Sequence, residues 1–393
     1  MEQSIIKYKL RLLLPCYYSF FVNGMMVLMV GTILPYLIKE ANINFSVAGG
    51  FLSAFAIGNL LASFINPPMI ARLGRRTNII VMTLLIPVSL LVIMSVPTIP
   101  VIYGAFAVLG IGRGSVSIFN NTVVNEIFPG KSSMLNLLHM TFAVGAFIAP
   151  FLSSFYITIG LSWRYLGFTI VGLFVVTLIL LFLIPREYGK VETVMKKEVE
   201  DLPKSKVVYY KNFDFYVIGL ILFFYLGLEN CVNGWFVTYF KDADIMSDTL
   251  ATNLVSYTWI AVMVGRLFTA FLSAKVAKKT LILINSIFTA IFFFLLIATS
   301  NIVVISIEIV GLGFFFAGIY PTCVANAGSI IKGSASGMSM LLAIAALGGI
   351  VAPQIVGVVA DVIGLSGAIG VLTISTVCMV VFAIINYGRS AIS

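Results

Sequence analysis

The chain has 393 residues, of which 60% are hydrophobic and only 10% are charged, and its mean hydropathy is +1.10. A soluble domain carries about 25% charged residues, so this composition excludes a water-soluble globular protein with an ordinary surface. The formal net charge of +9 would suit a nucleic-acid partner, but the positions of the basic residues account for it without one.

Twelve apolar segments are each long enough to cross a bilayer, which takes about 20 residues. In chain order the predicted membrane spans are 12–38, 46–70, 77–96, 100–127, 133–157, 164–184, 213–240, 250–274, 280–299, 302–330, 334–360 and 366–387. The first segment is too long for the apolar core of a cleavable signal peptide and leads directly into the second. The sequence therefore predicts an all-α membrane protein with twelve transmembrane helices, in contact with the lipid bilayer.

Basic residues cluster in alternate loops between these spans. Two clusters lie in the runs 71–76 and 274–279, whereas the opposite loops contain only Lys39, Arg164 and Lys241. Loops rich in Lys and Arg remain in the cytoplasm. We therefore expect both termini to be cytoplasmic and the chain to lie in the cytoplasmic membrane, and we expect no nucleic-acid partner.

Two stretches of the chain recur about two hundred residues later. The stretch GNLLASFINPPMIARLGRR at 58–76 has a weaker copy, GRLFTAFLSAKVAKK, at 265–279, and GAFIAP at 145–150 has the copy GGIVAP at 348–353. Two separate segments that recur at nearly the same offset indicate a duplicated half rather than two unrelated domains.

Six spans precede the only long polar segment and six follow it. We therefore predict an N-terminal six-helix bundle over residues 1–186, a cytoplasmic linker over 187–212 and a C-terminal six-helix bundle over 213–393. Because six spans separate the copies, the halves are parallel repeats related by an axis along the membrane normal. Two such halves usually meet around a central substrate site, which points to transport.

The loop between the second and third spans reads Ala71-Arg72-Leu73-Gly74-Arg75-Arg76, which resembles the best-known motif of the major facilitator superfamily. The family pattern is Asp-Arg-x-Gly-Arg-Arg/Lys, so Ala71 replaces the acid. The resemblance covers essentially the whole chain and implies a two-bundle transporter. It also implies a gating role for Arg72, Gly74, Arg75 and Arg76. The gating network must differ in part, because the missing acid helps to lock one conformational state in the family.

Three further strings resemble the fucose–glucose–galactose permease family. They are Asn136-Leu137-Leu138-His139 in the fifth span, Tyr225-Leu226-Gly227-Leu228-Glu229 in the seventh and Gly318-Ile319-Tyr320-Pro321-Thr322 in the tenth. This resemblance implies a sugar substrate and proton coupling. Sugar–proton members carry an Asp in the first span and a Glu in the fourth, where this chain has Gly31 and about Ser117. The usual coupling sites are therefore absent from their usual positions.

Glu229 is the first candidate for proton coupling. It shares a helix face with Tyr225 and Asn233, since the three are spaced i, i+4 and i+8. An ionisable group in a span normally faces a cavity or a partner, because exposing it to lipid is costly. The alternative is a permanently protonated carboxyl bonded to a neighbouring helix. His139, the only histidine, is the second candidate because histidine titrates near physiological pH, with a hydrogen-bonded packing role as its alternative.

Two arginines and a set of amides and rings are the candidates for substrate binding. Arg113 in the fourth span needs a counter-charge or a hydroxyl-rich ligand, since a guanidinium cannot lose its charge, and structural pairing is the alternative. Arg266 in the eighth span can instead extend to the cytoplasmic interface. Amides and aromatic rings suit sugars, whose hydroxyls need hydrogen-bond partners and whose ring faces are apolar. These candidates are Asn23, Asn120, Asn121, Tyr225, Asn233, Trp259 and Tyr320, for which ordinary core packing is the alternative.

The leading hypothesis is a monomeric, proton-coupled secondary transporter of a small polar solute, most simply a sugar. The alternative is an exporter of drugs or metabolites, because Gly145…Ala149-Pro150 is a degenerate form of a motif found in exchangers of the superfamily. Its recurrence at 348–353 favours a bending element common to both repeats. A sensor that binds a solute without moving it is a third class. The direction of transport and the choice between protons and sodium stay open.

No enzyme chemistry is expected. The sequence has no nucleophile–base pair, no phosphate-binding loop after a strand and no metal-ligand spacing, so neither a cofactor nor a metal is predicted. The four cysteines are predicted to be buried structural thiols, and they are Cys16, Cys231, Cys323 and Cys378.

Overall fold

The structure is a computed structural model that describes residues 2–128, 132–185, 188, 209–243, 246–331 and 334–389, without the side chains of residues 2–7, 132 and 335. Its regular elements within these residues are twelve α-helices and one short 3-10 helix at Tyr209–Lys211. The α-helices are α1 (Glu2–Ala41), α2 (Phe45–Leu73), α3 (Arg75–Met94), α4 (Ile99–Ile127), α5 (Ser132–Thr158), α6 (Arg164–Leu181), α7 (Phe213–Asp242), α8 (Asp248–Leu272), α9 (Lys278–Ile297), α10 (Ile302–Phe316), α11 (Ile319–Ile331) and α12 (Ala335–Gly388). Most of the predicted linker, residues 187–212, lies outside the described residues.

The prediction of an all-helical membrane fold is confirmed, with differences in how the spans are divided. Eleven segments of the described chain are long and apolar enough to cross a membrane. The predicted span 302–330 consists of α10 and α11, which together form one such segment. The predicted spans 334–360 and 366–387 lie in the single element α12, where Gly364 has non-helical angles of φ 79° and ψ 161°. A kink at one glycine leaves no loop between the two helical segments, so both predicted spans lie in one continuous element.

Side-chain caps fix where four helices of the second half begin. The side-chain oxygens of Asn212, Ser247, Asn301 and Ser334 accept hydrogen bonds from main-chain N–H groups in the first turns of α7, α8, α10 and α12. These N–H groups have no partner within their own helix, and each such cap stabilises a helix by about 1 kcal/mol. Polar residues between the apolar runs therefore define the helix starts.

The chain forms two compact units that do not coincide with the two halves of the sequence. The first unit comprises Met1–Met26, Ala54–Ala146 and Arg164–Lys206, and the second comprises Val27–Ser53, Phe147–Trp163 and Val207–Ser393. The second unit therefore contains all the helices of the second half together with parts of α1, α2 and α5. The bundle boundaries at 186 and 213 stay a prediction.

The glycines of the internal repeats make equivalent helix contacts in both copies. Gly58 of α2 packs on the main chain of α4, and its counterpart Gly265 of α8 packs on the main chain of α10. Gly145 of α5 packs on the main chain of α1, and Gly348 of α12 packs on that of α7. A β-carbon at any of the four would overlap a carbonyl oxygen, so only glycine permits this approach. The repeats thus preserve sites of close helix packing.

Within the second unit, polar groups join α1 and α2 to helices of the second half. The carboxylate of Asp361 in α12 accepts hydrogen bonds from the N–H groups of Phe45 (2.8 Å) and Ser46 (3.0 Å) at the start of α2. Lys241 at the end of α7 donates to the hydroxyl of Tyr36 in α1 at 2.6 Å. These contacts hold parts of both sequence halves in one packed unit.

Candidate functional site

In the first unit, amides of α4 hydrogen-bond to neighbouring helices. Asn120 is buried and donates to the hydroxyl of Ser19 in α1 at 2.8 Å. Asn23 of α1 is fully buried, and its Nδ2 atom donates to the hydroxyl of Ser117 in α4 at 3.2 Å. The structure therefore brings two predicted substrate-binding amides together on the contact between α1 and α4. It also explains Ser117, whose hydroxyl supports an amide at the position where relatives carry a Glu.

His139 of α5 lies beside this amide group. Its Nε2 atom is 3.2 Å from Oδ1 of Asn121, and its ring meets the ring of Phe20 edge-on at 5.3 Å between centroids. The imidazole is exposed, so protein atoms do not enclose it.

Arg113 of α4 is half-buried in the first unit. Its guanidinium carbon is 5.7 Å from the centre of the Phe55 ring in α2, which is the geometry of a cation–π contact. A ring face stabilises the charge of a half-buried guanidinium. The predicted role of Arg113 in substrate binding stays a prediction.

In the second unit, four helices place a group of aromatic and ionisable side chains around Tyr225, which we call the Tyr225 cluster. Tyr225 of α7 is buried, shares a side-chain hydrogen bond with Glu229 and lies near enough to Arg266 of α8 to feel its charge. The Tyr225 ring stacks on Phe316 of α10 at 4.4 Å between centroids and lies 6.2 Å from Tyr320 of α11. Four predicted site residues from three helices, with Phe316 from a fourth, therefore meet in one place.

Phe316 was not identified from the sequence. Phe316 is the last residue of α10, and Tyr320 lies in the first turn of α11. The two residues are therefore four positions apart, on either side of the short break between these helices. The spacing of Phe316 and Tyr320 within an apolar run is a signal that could have found it, because rings at i and i+4 lie on one side of a helix.

Asn233 and Trp259, also predicted to bind substrate, are placed less centrally. Asn233 of α7 is half-buried, and its main-chain carbonyl packs against Gly31 of α1. Trp259 of α8 is 5% exposed. Nearby on α7, Asn230 donates to the carbonyl of Gly349 at 2.9 Å, which fixes α7 to α12.

The contact at Gly31 gives a steric reason for the missing acid in the first span. A β-carbon on Gly31 would overlap the carbonyl oxygen of Asn233, so no side chain fits between α1 and α7 at this point. The position at which the sequence resemblance implies an Asp is thus closed here by helix packing.

The residues predicted to act in gating form a charged group in the first unit. Arg75 makes an ion pair with Glu126 at the end of α4, with 2.7 Å between Nη1 and Oε1. The hydroxyl of Tyr188 donates to the other oxygen of Glu126 at 2.7 Å, and Arg76 donates to the carbonyl of Phe182 at 3.0 Å. Glu126 therefore provides a carboxylate for the basic turn, although Ala71 occupies the motif's acidic position.

The backbone conformation of Gly74 and the protonated hydroxyl of Tyr188 both fit this charged group. Gly74 lies between α2 and α3 with φ of 77°, a left-handed conformation that favours glycine. Burial and the Glu126 carboxylate raise the pKa of Tyr188 well above its usual range, so this hydroxyl remains a donor at physiological pH. Arg72, the fourth predicted gating residue, is exposed.

The remaining ionisable groups do not assemble into a metal site within the described residues, where no three His, Cys, Asp or Glu side chains come together. Cys16, Cys231 and Cys323 are buried thiols, as predicted, and Cys378 is half-buried.

Comparison with known proteins gives a consistent result. The family profile of the Major Facilitator Superfamily matches residues 16–353. "Bypass of stop codon protein 6" of Saccharomyces cerevisiae is 23% identical over 389 residues, which cover 89% of this chain and 77% of that protein. A "Glucose/galactose transporter" of Brucella abortus is 28% identical over 152 residues, which cover 38% of this chain and 37% of that protein. The crystal structure of a D-xylose-proton symporter shares the fold with a TM-score of 0.76 over 97% of both chains, at 15% identity. Both resemblances indicated by the sequence are thereby confirmed.

Proposed function

The chain belongs to the Major Facilitator Superfamily, and from that membership we propose that it is a proton-coupled secondary transporter of a sugar. It moves its substrate across the cytoplasmic membrane by alternating access, as a monomer with both termini in the cytoplasm. Its twelve membrane spans form bundles over residues 1–186 and 213–393, joined by a cytoplasmic linker. The relative named as a glucose/galactose transporter supports the substrate class, and the basic loops support the orientation.

The observation that carries this proposal is the Tyr225 cluster. Around the packed rings of Tyr225 and Phe316, the half-buried side chains of Tyr320, Glu229 and Arg266 offer an aromatic ring, an acceptor and donors for a sugar. A mostly apolar and aromatic lining with a few placed polar groups is the usual composition of a small-molecule site. The amides of the first unit, with Arg113, are proposed as further substrate ligands.

Glu229 is proposed as the proton carrier. It shares a side-chain hydrogen bond with Tyr225, which also lies within reach of the charge of Arg266. A proton carrier in the same cluster as the proposed substrate ligands would link substrate binding to proton binding. His139 is proposed as a second titrating group, since its imidazole is exposed and hydrogen-bonded to Asn121.

Uptake by proteoliposomes under an imposed proton gradient tests this function. Labelled glucose, galactose and xylose are offered separately, and we expect at least one to accumulate. Glu229→Gln should abolish accumulation but retain exchange of labelled for unlabelled sugar across the membrane, because binding and movement no longer need a proton. Glu308→Gln is the matched control, since Glu308 is another glutamate within a membrane-spanning segment of the same unit, and it is buried. Loss of accumulation in the control alone would overturn the assignment of Glu229.

An exporter of drugs or metabolites is the competing outcome. A strain that lacks the protein should show unchanged resistance to toxic compounds if the protein imports a sugar. A gain in sensitivity, together with no uptake of any sugar by the proteoliposomes, would replace the proposed function with export.

A further inference from the structure

A cavity of about 530 Å³ lies at the end of the second unit where α9 begins. Lys278 and Lys279 of α9, Asn326 of α11 and Tyr387 at the end of α12 are among the residues that line it. The lining residues include no carboxylate. The cavity shares α11 with the Tyr225 cluster, through Asn326 and Tyr320, but no residue of that cluster lines it, and the proposed transport mechanism makes no use of it.

The first copy of the internal repeat has basic residues at the equivalent position, and there they pair with a carboxylate. The run 71–76 aligns with 274–279, so that Arg75 corresponds to Lys278, and α3 and α9 begin at these two residues. In the first copy, Glu126 lies 51 residues after Arg75 and provides the carboxylate that pairs with it. The same interval after Lys278 leads to Ser329, whose hydroxyl bonds to the carbonyl of Asn326. The second copy thus keeps the cations and has replaced the acid.

The polar groups at the cavity are donors that are only partly used. Lys278 donates one hydrogen bond, to the carbonyl of Ala325 at 3.0 Å, and an ammonium has three N–H groups. Asn326, which lines the cavity, donates from its Nδ2 atom to the side-chain oxygen of Asn386 at 3.4 Å. The start of α9 has no side-chain cap. The two lysines and the N–H groups of this helix start together favour an anion with several oxygens.

The surroundings favour an anion that belongs to a lipid. Lys278 begins one segment that is long and apolar enough to span a membrane and Gly388 ends another, and we therefore infer that the cavity lies at the level of the headgroups. Exposed apolar side chains follow within two turns on both helices, with Ile284 40% exposed on α9 and Ile384 52% exposed on α12. Acyl chains can pack on such an apolar surface, whereas a soluble phosphate ion gains nothing from contact with it.

We propose that this cavity binds the headgroup of an anionic phospholipid, such as phosphatidylglycerol. Lys278 and Lys279 contact the phosphate, and the acyl chains lie along α9 and α12. The site requires only that the chain spans the membrane with its basic turns in the cytoplasmic leaflet. It is independent of the solute that is transported.

Native mass spectrometry of the full-length protein, with graded amounts of phosphatidylglycerol or phosphatidylcholine, tests the proposal. We expect retained phosphatidylglycerol and no comparable retention of phosphatidylcholine. Because each lysine near an anionic surface contributes about 1 kcal/mol, the double variant Lys278→Gln/Lys279→Gln should bind phosphatidylglycerol about 30-fold more weakly. Lys275→Gln is the matched control, since Lys275 lies in the same turn, does not line the cavity and has its ammonium 4.7 Å from the centre of the Phe271 ring.

Two further measurements separate loss of lipid binding from loss of folding, and lipid binding from binding of free phosphate. The variant Lys278→Arg/Lys279→Arg preserves the charges and should retain the lipid, which separates loss of binding from loss of folding. Inorganic phosphate at millimolar concentration should not displace the lipid or raise the thermal stability. Equal loss of lipid in Lys275→Gln, equal binding of phosphatidylcholine or stabilisation by phosphate alone would each overturn the proposal.

Discussion

At Gly31 the main chain of α1 approaches α7 so closely that a β-carbon would overlap the carbonyl oxygen of Asn233. This single contact removes a position at which related sugar transporters carry an acid. It also leaves Glu229, on the same helix as Asn233, as the carboxyl hydrogen-bonded to Tyr225. The lack of a side chain at Gly31 therefore accompanies the placement of the proposed proton carrier, Glu229, on the helix that packs against it.

Substitution of Gly31 tests this packing. We expect Gly31→Ala to lower the stability by about 1–3 kcal/mol, because the added atom forces the two backbones apart. The midpoint of thermal unfolding in detergent measures the effect. Gly370→Ala in α12 is the control, since a β-carbon there meets no atom within 4 Å. Equal unfolding midpoints for Gly31→Ala and the unaltered protein would show that α1 and α7 do not pack as described.

The ion pair between Arg75 and Glu126 should contribute little to stability despite its short distance. The side chains are 16% and 37% exposed, so solvent screens much of the attraction. A double-mutant cycle of Arg75→Gln and Glu126→Gln, followed by denaturant unfolding, should give a coupling of no more than about 1 kcal/mol. The same cycle with Arg72, which is exposed, should give none. A coupling of several kcal/mol would mean that the pair serves mainly to stabilise the fold.

At the scale of the residue, the sequence predicts which kinds of chemical group are present better than it predicts which side chains contact each other. Tyr225 and Glu229 share a helix face from spacing alone, and the structure joins them by a hydrogen bond. Phe316 escapes detection because an aromatic residue in an apolar run has the same appearance in a core as in a binding site. Glu126 escapes because its partner Arg75 lies 51 residues away in the sequence.

At the scale of the element, the start of α2 depends on a residue of α12. Asp361 accepts hydrogen bonds from Phe45 and Ser46, and so satisfies N–H groups that a helix start leaves without partners. A negative charge at this end also interacts favourably with the helix dipole. Because α2 and α12 belong to different halves of the sequence, the proposed alternating access would require this cap to break and re-form.

Removal of the cap should shift the conformational equilibrium. Asp361→Ala loses a cap that contributes about 1–2 kcal/mol, so the conformation described here should become about 5- to 30-fold less populated. The rate at which a thiol reagent modifies Ser46→Cys, in a protein whose native cysteines are replaced, measures the change and should rise. Asp242→Ala, at the end of α7, is the control and should leave the rate unchanged. An unaltered rate in Asp361→Ala would show that the cap does not hold the two helices together.

Element boundaries were predictable where capping residues separate apolar runs and were less so where the chain turns tightly. Ser247 and Asn301 cap helices close to the predicted starts at 250 and 302. The division of 302–330 into α10 and α11 gives no signal in hydropathy, because the break is itself apolar. Gly364 joins two predicted spans without a loop, so the continuous element α12 is likewise invisible to a search for polar connections.

At the scale of the whole molecule, the duplication appears in the helix packing as well as in the amino-acid sequence. Gly58 with Gly265, and Gly145 with Gly348, make the same contacts in the two copies. The basic turns have diverged, because Arg75 is paired with the carboxylate of Glu126, whereas Lys278 lines an open cavity. A shared scaffold with different surroundings accounts for both the repeat and its departures.

The second compact unit takes Val27–Ser53 and Phe147–Trp163 from the first half of the sequence, and this has a consequence for biogenesis. A ribosome inserts those segments into the membrane before any part of 207–393 exists, so the later helices complete their packing on pieces already made. We expect a fragment of residues 207–393, expressed alone, to be degraded, and co-expression of residues 1–206 to rescue it, as measured by its yield in the membrane fraction. A first fragment that carries Gly31→Asp should rescue poorly, and a stable lone second fragment would contradict this dependence. Early translated helices thus act as an internal assembly factor for the late ones.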